Sequence, residues 1–190
     1  VNPEHKKYDR IYGENLRYEN TGELYGSICH AMKVINHIDN LKFDTVLDIG
    51  CGRGQFEKAL IERGKNVSAC DISGVVIEKL RESIPSANFN CASMDDLPYD
   101  DSSFDLVTSF EVLEHIPEDL LDKSLLELSR VAKGDVVASV AWHEDLKWGM
   151  HLHVIIKQKG WWVKKLSEFF DIEKILLEGP HNMFVWLKVK

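Results

Sequence analysis

The chain has 190 residues and a net charge of −8, with 44% hydrophobic and 28% charged residues. That length suits a single domain with a proper core, and the composition is that of an ordinary globular protein. The negative sign disfavours broad electrostatic attraction to nucleic acid or to an anionic membrane surface.

The N-terminal VNPEHKKYDR lacks the apolar stretch of a signal peptide, and no run approaches membrane-spanning length. No membrane partner and a cytoplasmic setting are therefore expected. The cysteines Cys29, Cys51, Cys70 and Cys91 form no C-x-x-C pair, so a zinc or disulfide framework is not indicated. Cys70 and Cys91 sit inside apolar runs and read as buried small hydrophobes.

From Leu24 to Ile38 apolar residues recur at helical spacing, with Thr21 as a cap. DTVLDIG reads as a strand, QFEKALIERG as a helix closed by Gly64, and NVSACDIS as a second strand. GVVIEKLRESI is a helix stopped by Pro85, ANFNCAS a third strand and FDLVTSF a fourth. PEDLLDKSLLELSRVAK reads as a helix with Pro117 in its first turn and Gly134 at its end, and DVVASVAW as a fifth strand. A helix over Trp161 to Phe169 follows, then two strands, IEKILLEG and MFVWLKVK, joined by the turn signal GPHN.

Strands and helices alternating at this length predict an α/β fold: a seven-stranded, mostly parallel, Rossmann-like sheet with helices on both faces and a C-terminal antiparallel hairpin. Ligands of such sheets sit beyond the carboxyl ends of the strands. VLDIGCGRGQF puts three glycines there. The spacing fails the dinucleotide fingerprint, because the third position falls on Gln55 or Glu57, and no G-K-[ST] of a phosphate loop is present. What remains is an acid, Asp48, before the glycines and a second acid, Asp71, at the end of the next strand, where a carboxylate can accept from ribose hydroxyls. A nucleoside with a small zwitterionic tail fits this pattern better than a pyrophosphate.

With those residues in place, VLDIGCGRGQF resembles the first motif of the class I S-adenosylmethionine-dependent methyltransferases, of the methyltransferase-11/12-like type. CDIS, CASMDDLPYDDSSFDLV, SFEVLEHI and LLELSRVAKGDVVASV are similar to the motifs that follow in that family, and the likeness covers about Leu41 to Ala141. The resemblance implies S-adenosylmethionine as cofactor and S-adenosylhomocysteine as product. It implies that Gly50, Gly52 and Gly54 bed the methionine portion, with Phe56 beside them and Asp48 fixing the ammonium. Asp71 would hold the ribose, Ile72 would pack on the adenine, and Met94 would meet an adenine nitrogen through its backbone N–H. Ser93 stands where the family often has an acid, and Asp95 is placed to substitute. Phe110, Glu111 and Val112 would line the cavity near the sulfonium, with His115 at the acceptor rim as catalytic base.

The chain is read as one domain: an N-terminal lid or helix over 1–40, a cofactor-binding core over 41–141, an acceptor-side insertion over 142–169 and the hairpin over 170–190. Lys147 to Lys165 hold five lysines and two histidines but no Asp or Glu, interleaved with tryptophans. A basic, aromatic surface suits an anionic, ring-like acceptor such as a phosphorylated or carboxylated sugar or glycan, and HLHV followed by tryptophans weakly resembles glycan-modifying methyltransferases. Tyr18, Trp148, His151, His153 and Trp161 are the candidate acceptor contacts. His151 and His153 would share one face of an extended segment, but no third ligand is evident and no metal is expected. The expected reaction is O-methylation. A protein side chain or small natural product is the alternative acceptor, and a cofactor-binding subunit without turnover is the other class of function.

Overall fold

The computed structural model describes residues 3–14 and 27–190. Two of the sequence expectations, the Thr21 cap and the Tyr18 contact, lie outside the described residues. The contacts divide the chain into two compact units, Val1–Ser93 and Met94–Lys190.

The first unit holds helices α1 (Pro3–Gly13) and α2 (Ser27–Ile38), then β1 (Thr45–Ile49), α3 (Gln55–Glu62), β2 (Asn66–Asp71), α4 (Gly74–Ser83) and β3 (Asn88–Cys91). Strands β1 and β2 pair in parallel from Thr45↔Asn66 to Ile49↔Cys70, and β2 pairs in parallel with β3. Their apolar runs are buried on both faces, as a covered parallel strand requires: Val46, Leu47, Val67, Ala69 and Cys70 expose almost nothing. One core cluster joins Cys51, Ala69, Val76, Ile77, Leu80, Ile84 and Phe89, with Tyr12 of α1 packed against it.

The second unit holds β4 (Phe104–Ser109), a 3-10 turn (Leu113–His115), α5 (Leu121–Val131), β5 (Ala132–Ala141), a ribbon of β6 (Leu146–Lys147) and β7 (Met150–His151), α6 (Lys159–Phe169), β8 (Phe170–Glu178) and β9 (Asn182–Val189). β4 and β5 run parallel, whereas β9 is antiparallel to both β5 and β8. The expected C-terminal hairpin is therefore present, and the strands form a seven-stranded sheet in the order β3-β2-β1-β4-β5-β9-β8. Among the described residues no helix is long and apolar enough to cross a membrane.

Two local expectations are corrected. Gly134 does not close α5: that helix passes at Ala132 directly into β5, so Gly134 lies inside a strand, and Pro117 precedes the helix. Cys91 is exposed rather than buried. It ends β3, and its thiol reaches the Ile72 carbonyl at 3.6 Å.

Candidate functional site

In the first unit the glycine stretch follows β1. Gly50, Gly52 and Gly54 all have positive φ, at 83°, 50° and 73°, a region that side chains with a Cβ enter at a cost. The turn is closed by the N–H groups of Gly50 and Cys51, which both donate to the Cys70 carbonyl, at 2.8 and 3.1 Å. Asp71 accepts from the Gly52 N–H at 3.0 Å and from the Ser73 N–H at 2.9 Å. So the carboxylate expected to read a ribose also fixes the glycine turn. Burial pushes its pKa up to about 6, against the pull of those two N–H donors.

Asp48 is buried in β1, and Phe56 is buried in the first turn of α3. Gly54 is needed for packing: a Cβ there would stand 2.5 Å from Leu80 Cδ2 of α4 and 2.8 Å from Cδ1 of Ile84, which follows that helix. Sequence reasoning missed Glu57. It is fully buried, with neither carboxyl oxygen hydrogen-bonded in the described geometry. Burial first, then the charge of Asp48, pushes its pKa well up. Its signal was an acid on the inward stripe of α3, beside Phe56 and three positions before Leu60. An orphaned buried carboxyl near Asp48, a glycine turn and an acid at the tip of β2 fit a cationic group attached to a ribose.

Helix α1 is tied to the same unit. Asp9 accepts from the Ser73 hydroxyl at 2.7 Å and from the Val75 N–H at 3.3 Å, at the start of α4. Lys79 donates to the Tyr12 carbonyl at 3.1 Å. The Tyr12 hydroxyl would lie 3.2 Å from a Cβ on Gly52. Ile72 is half-buried, and so is Ser93.

In the second unit Met94 is buried, and Asp95 pairs with Lys123 at 3.3 Å. Arg130 holds the stretch that follows, donating to the Leu97 and Tyr99 carbonyls and to Glu127 and Asp101. Phe110 packs on Phe184 with ring centroids 5.8 Å apart. Glu111 has φ 55°. Its N–H donates to the Ser139 hydroxyl, which donates in turn to the Glu111 carboxylate, both at 2.8 Å. Val112 leads into the 3-10 turn.

That turn carries the polar centre of the unit. Glu114 is fully buried; its Oε1 accepts from the Ala141 N–H at 3.0 Å, and its Oε2 has no hydrogen-bond partner. Burial and the neighbouring Glu111 charge push its pKa well up. The segment after β7 is laced to this turn: Val154 and Ile155 N–H groups donate to the Glu114 carbonyl at 2.8 and 3.1 Å, and His115 Nδ1 lies 2.8 Å from the Leu152 carbonyl. That lacing brings buried His153 within 4.0 Å of Glu114, measured from its Nε2 to Oε1. His153 Nδ1 meets the His143 carbonyl at 2.7 Å, and burial lowers the pKa of its ring. The rings of His115 and His153 are 4.8 Å apart, and those of His153 and His143 are 4.7 Å apart.

The remaining acceptor-side residues are dispersed. The expected His151–His153 pair does not share a face: His151 is exposed at the end of β7, and His153 is buried beyond it. The reason is the length of the ribbon, whose strands have two residues each, so the alternation of an extended strand stops at His151. Trp148 is at the ribbon tip, 39% exposed. Trp161 instead lines a cleft of about 290 Å³ with Glu118, Leu121, Asp122, Lys164, Lys165 and Glu168. Four of the five lysines from 147 to 165 are paired with acids that lie outside the basic stretch in sequence. Lys147 meets Asp145, Lys157 meets Glu118, Lys159 meets Glu178, and Lys165 meets both Asp122 and Glu168.

Comparison with known proteins fits this geometry. Residues 47–139 match the family model described as a methyltransferase domain. A ubiquinone biosynthesis O-methyltransferase of Idiomarina loihiensis is 36% identical over 88 residues, 44% of this chain and 36% of that protein. The match therefore spans well under half of the curated relative's length. Among solved structures, the PH0226 protein of Pyrococcus horikoshii OT3 superposes with a TM-score of 0.78 at 19% identity, covering 97% of this chain and 99% of that one. The N-methyltransferase NodS of Bradyrhizobium japonicum WM9, solved with S-adenosyl-L-homocysteine, gives a TM-score of 0.76 at 12% identity, with 97% of both chains covered. At these identities the two structures speak for the fold alone.

Proposed function

We propose that the chain is a class I S-adenosylmethionine-dependent methyltransferase, residues 47–139 matching the methyltransferase-domain model, and that it transfers a methyl group to a hydroxyl oxygen of a small, ring-bearing acceptor. The cofactor of the family is S-adenosylmethionine; when bound it supplies a methyl carbon on a sulfonium, open to in-line attack. In the first unit Asp71 would accept from the ribose hydroxyls, Ile72 would pack on the adenine, and Asp48 would meet the ammonium of the tail, with buried Glu57 in the same unit. The glycine turn lets backbone approach without a Cβ between. Ser93, Met94 and Asp95 would meet the adenine edge, and Phe110, Glu111 and Val112 would exclude water beside the methyl group.

Acceptor deprotonation falls to His115, and the observation that carries this is its hydrogen bond to Leu152. A carbonyl only accepts, so Nδ1 holds the proton and, in the neutral ring, Nε2 carries the lone pair. A neutral imidazole fixed in that tautomer is a competent general base. The name of the Idiomarina relative supports oxygen as the atom attacked. The paired lysines speak for an acceptor recognised by ring and hydroxyl; a phosphorylated or carboxylated sugar is the second candidate.

Two measurements test the reading. Calorimetry with S-adenosylhomocysteine should show one site per chain, lost in Asp71→Ala. A panel of phenols, catechols and acidic sugars, read by S-adenosylhomocysteine release, should identify an acceptor whose kcat falls about 100-fold or more in His115→Ala while cofactor affinity stays. No heat with the cofactor product would end the methyltransferase reading, and full turnover in His115→Ala would remove the base.

A further inference from the structure

We propose that Glu114, His115 and His153 form a binding site for a divalent transition cation of the zinc class, with a coordination position left open. Among the described residues, one ligand atom from each of the three lies within 4.8 Å of the other two. Nothing about this trio was visible in the H-x-H spacing of the sequence. It is made by lacing residues 152–155 onto the 3-10 turn.

Three features distinguish the trio from a chance cluster. The first is the orientation of the rings. Both histidines spend Nδ1 on a backbone carbonyl, His115 on Leu152 and His153 on His143. Each neutral ring therefore keeps its lone pair on Nε2, and a carbonyl behind the far nitrogen is how metal-bound histidines are usually fixed and made more basic. The second is the burial of Glu114: its carboxyl is fully enclosed, Oε1 accepts from the Ala141 N–H at 3.0 Å and lies 4.0 Å from His153 Nε2, and Oε2 meets no N–H or hydroxyl donor. A cation would offset the burial of that acid. The third is the setting: Glu111, three positions before Glu114 in sequence, is fixed by the Ser139 hydroxyl at 2.8 Å, so a second acid stands in the same unit beside the trio.

The donor set selects the ion. Two imidazole nitrogens and one carboxylate suit zinc or its transition-metal neighbours, whereas magnesium and calcium take oxygen ligands. In a tetrahedral site bonds of about 2.1 Å put two ligand atoms about 3.4 Å apart. Binding thus draws atoms now within 4.8 Å of one another together by up to about 1.4 Å, a movement open to His115, the half-buried member. Three protein ligands leave a fourth position free, the arrangement of catalytic rather than structural zinc. An acceptor hydroxyl bound there would be acidified by the cation and would release its proton to bulk water; His115 would then serve as ligand, and its role as base would belong to the cation-free protein. Only this last role rests on the methyltransferase reading; cation binding stands without it.

The test uses the full chain stripped with a chelator. Titration with ZnCl₂ by calorimetry should give one tight site per chain, and CoCl₂ should develop the visible absorption of a nitrogen-coordinated ion. His115→Ala and His153→Gln should each weaken zinc by at least about tenfold, while His37→Ala, on the exposed face of α2, should not. S-adenosylhomocysteine affinity is measured on every variant as the independent readout. Retention of that affinity with loss of zinc supports the site. Absence of a tight site in the native chain, or undiminished zinc binding in His115→Ala, overturns it. Loss of cofactor binding in the native chain would strike the methyltransferase reading and leave the cation result standing.

Discussion

Asp71 links a pKa to a function. Its folded value is raised to about 6, so between roughly pH 4 and pH 6 the folded protein holds a proton that the unfolded chain has released. Folding stability contributed by this group is therefore present below about pH 4 and is lost as pH rises through 6. With Asp71 as the proposed ribose acceptor, cofactor affinity should run the opposite way, because hydroxyl donors would need the ionised carboxylate. S-adenosylhomocysteine binding should weaken about tenfold from pH 7 to pH 5, and Asp71→Asn should flatten that dependence; a flat profile in the native protein would count against Asp71 as the ribose acceptor. Gly54 makes a separate point, about packing. Gly54→Ala combines a φ of 73° with a methyl group 2.5 Å from Leu80, a cost on the order of 3 kcal/mol. Gly64 has the same φ but nothing within 4 Å, so Gly64→Ala should cost only about 1 kcal/mol. Chemical denaturation of the two variants measures the difference, and equal losses would show that backbone strain, not the α4 contact, governs Gly54.

At the scale of elements, the sequence pattern was enough for nearly every strand and helix because period-2 and helical stripes alternate with glycine and proline signals. It failed where one element flows into the next. Nothing local announces that α5 stops at Val131, since Ala132 leaves the helix to pair with Phe104 of β4. The candidate site divides in the same way. The glycine turn and Asp71 were legible because local backbone geometry demands those residue types. Glu57, Glu114 and the separation of His151 from His153 were not, because burial of an acid or a histidine is decided by what packs over it. The attachment of α1 is another tertiary fact: Asp9 caps α4 from 64 residues away in sequence, through the Ser73 hydroxyl. Its charge also faces the positive end of the α4 dipole. Asp9→Ala should therefore lower stability by about 1 kcal/mol, read as a fall in Tm of about 2–4 °C. An unchanged Tm would mean that α1 is held by Tyr12 and the apolar cluster alone.

At the scale of the whole molecule, net charge and local charge lead to different expectations of the acceptor. The chain carries −8 overall, yet the stretch from Lys147 to Lys165 contains no acid, and from sequence that contrast reads as an anion-binding surface. Folding brings acids from elsewhere to Lys157, Lys159 and Lys165, and Asp145 to Lys147. Each exposed pair contributes little to stability, typically about 0–1 kcal/mol, but together they cancel most of the local positive field. An acceptor recognised by its ring and hydroxyl would then feel little of that field. Raising ionic strength from about 0.05 to about 0.3 M shortens the screening length to well under 10 Å. For such an acceptor KM should stay within about twofold across that range, whereas an acceptor drawn in by unpaired lysines would show KM climbing steeply with salt. Initial rates at several salt concentrations, with cofactor saturating, separate the two cases. A steep climb would restore the anionic sugar as the preferred acceptor and would mean that the lysines leave their acid partners when it binds.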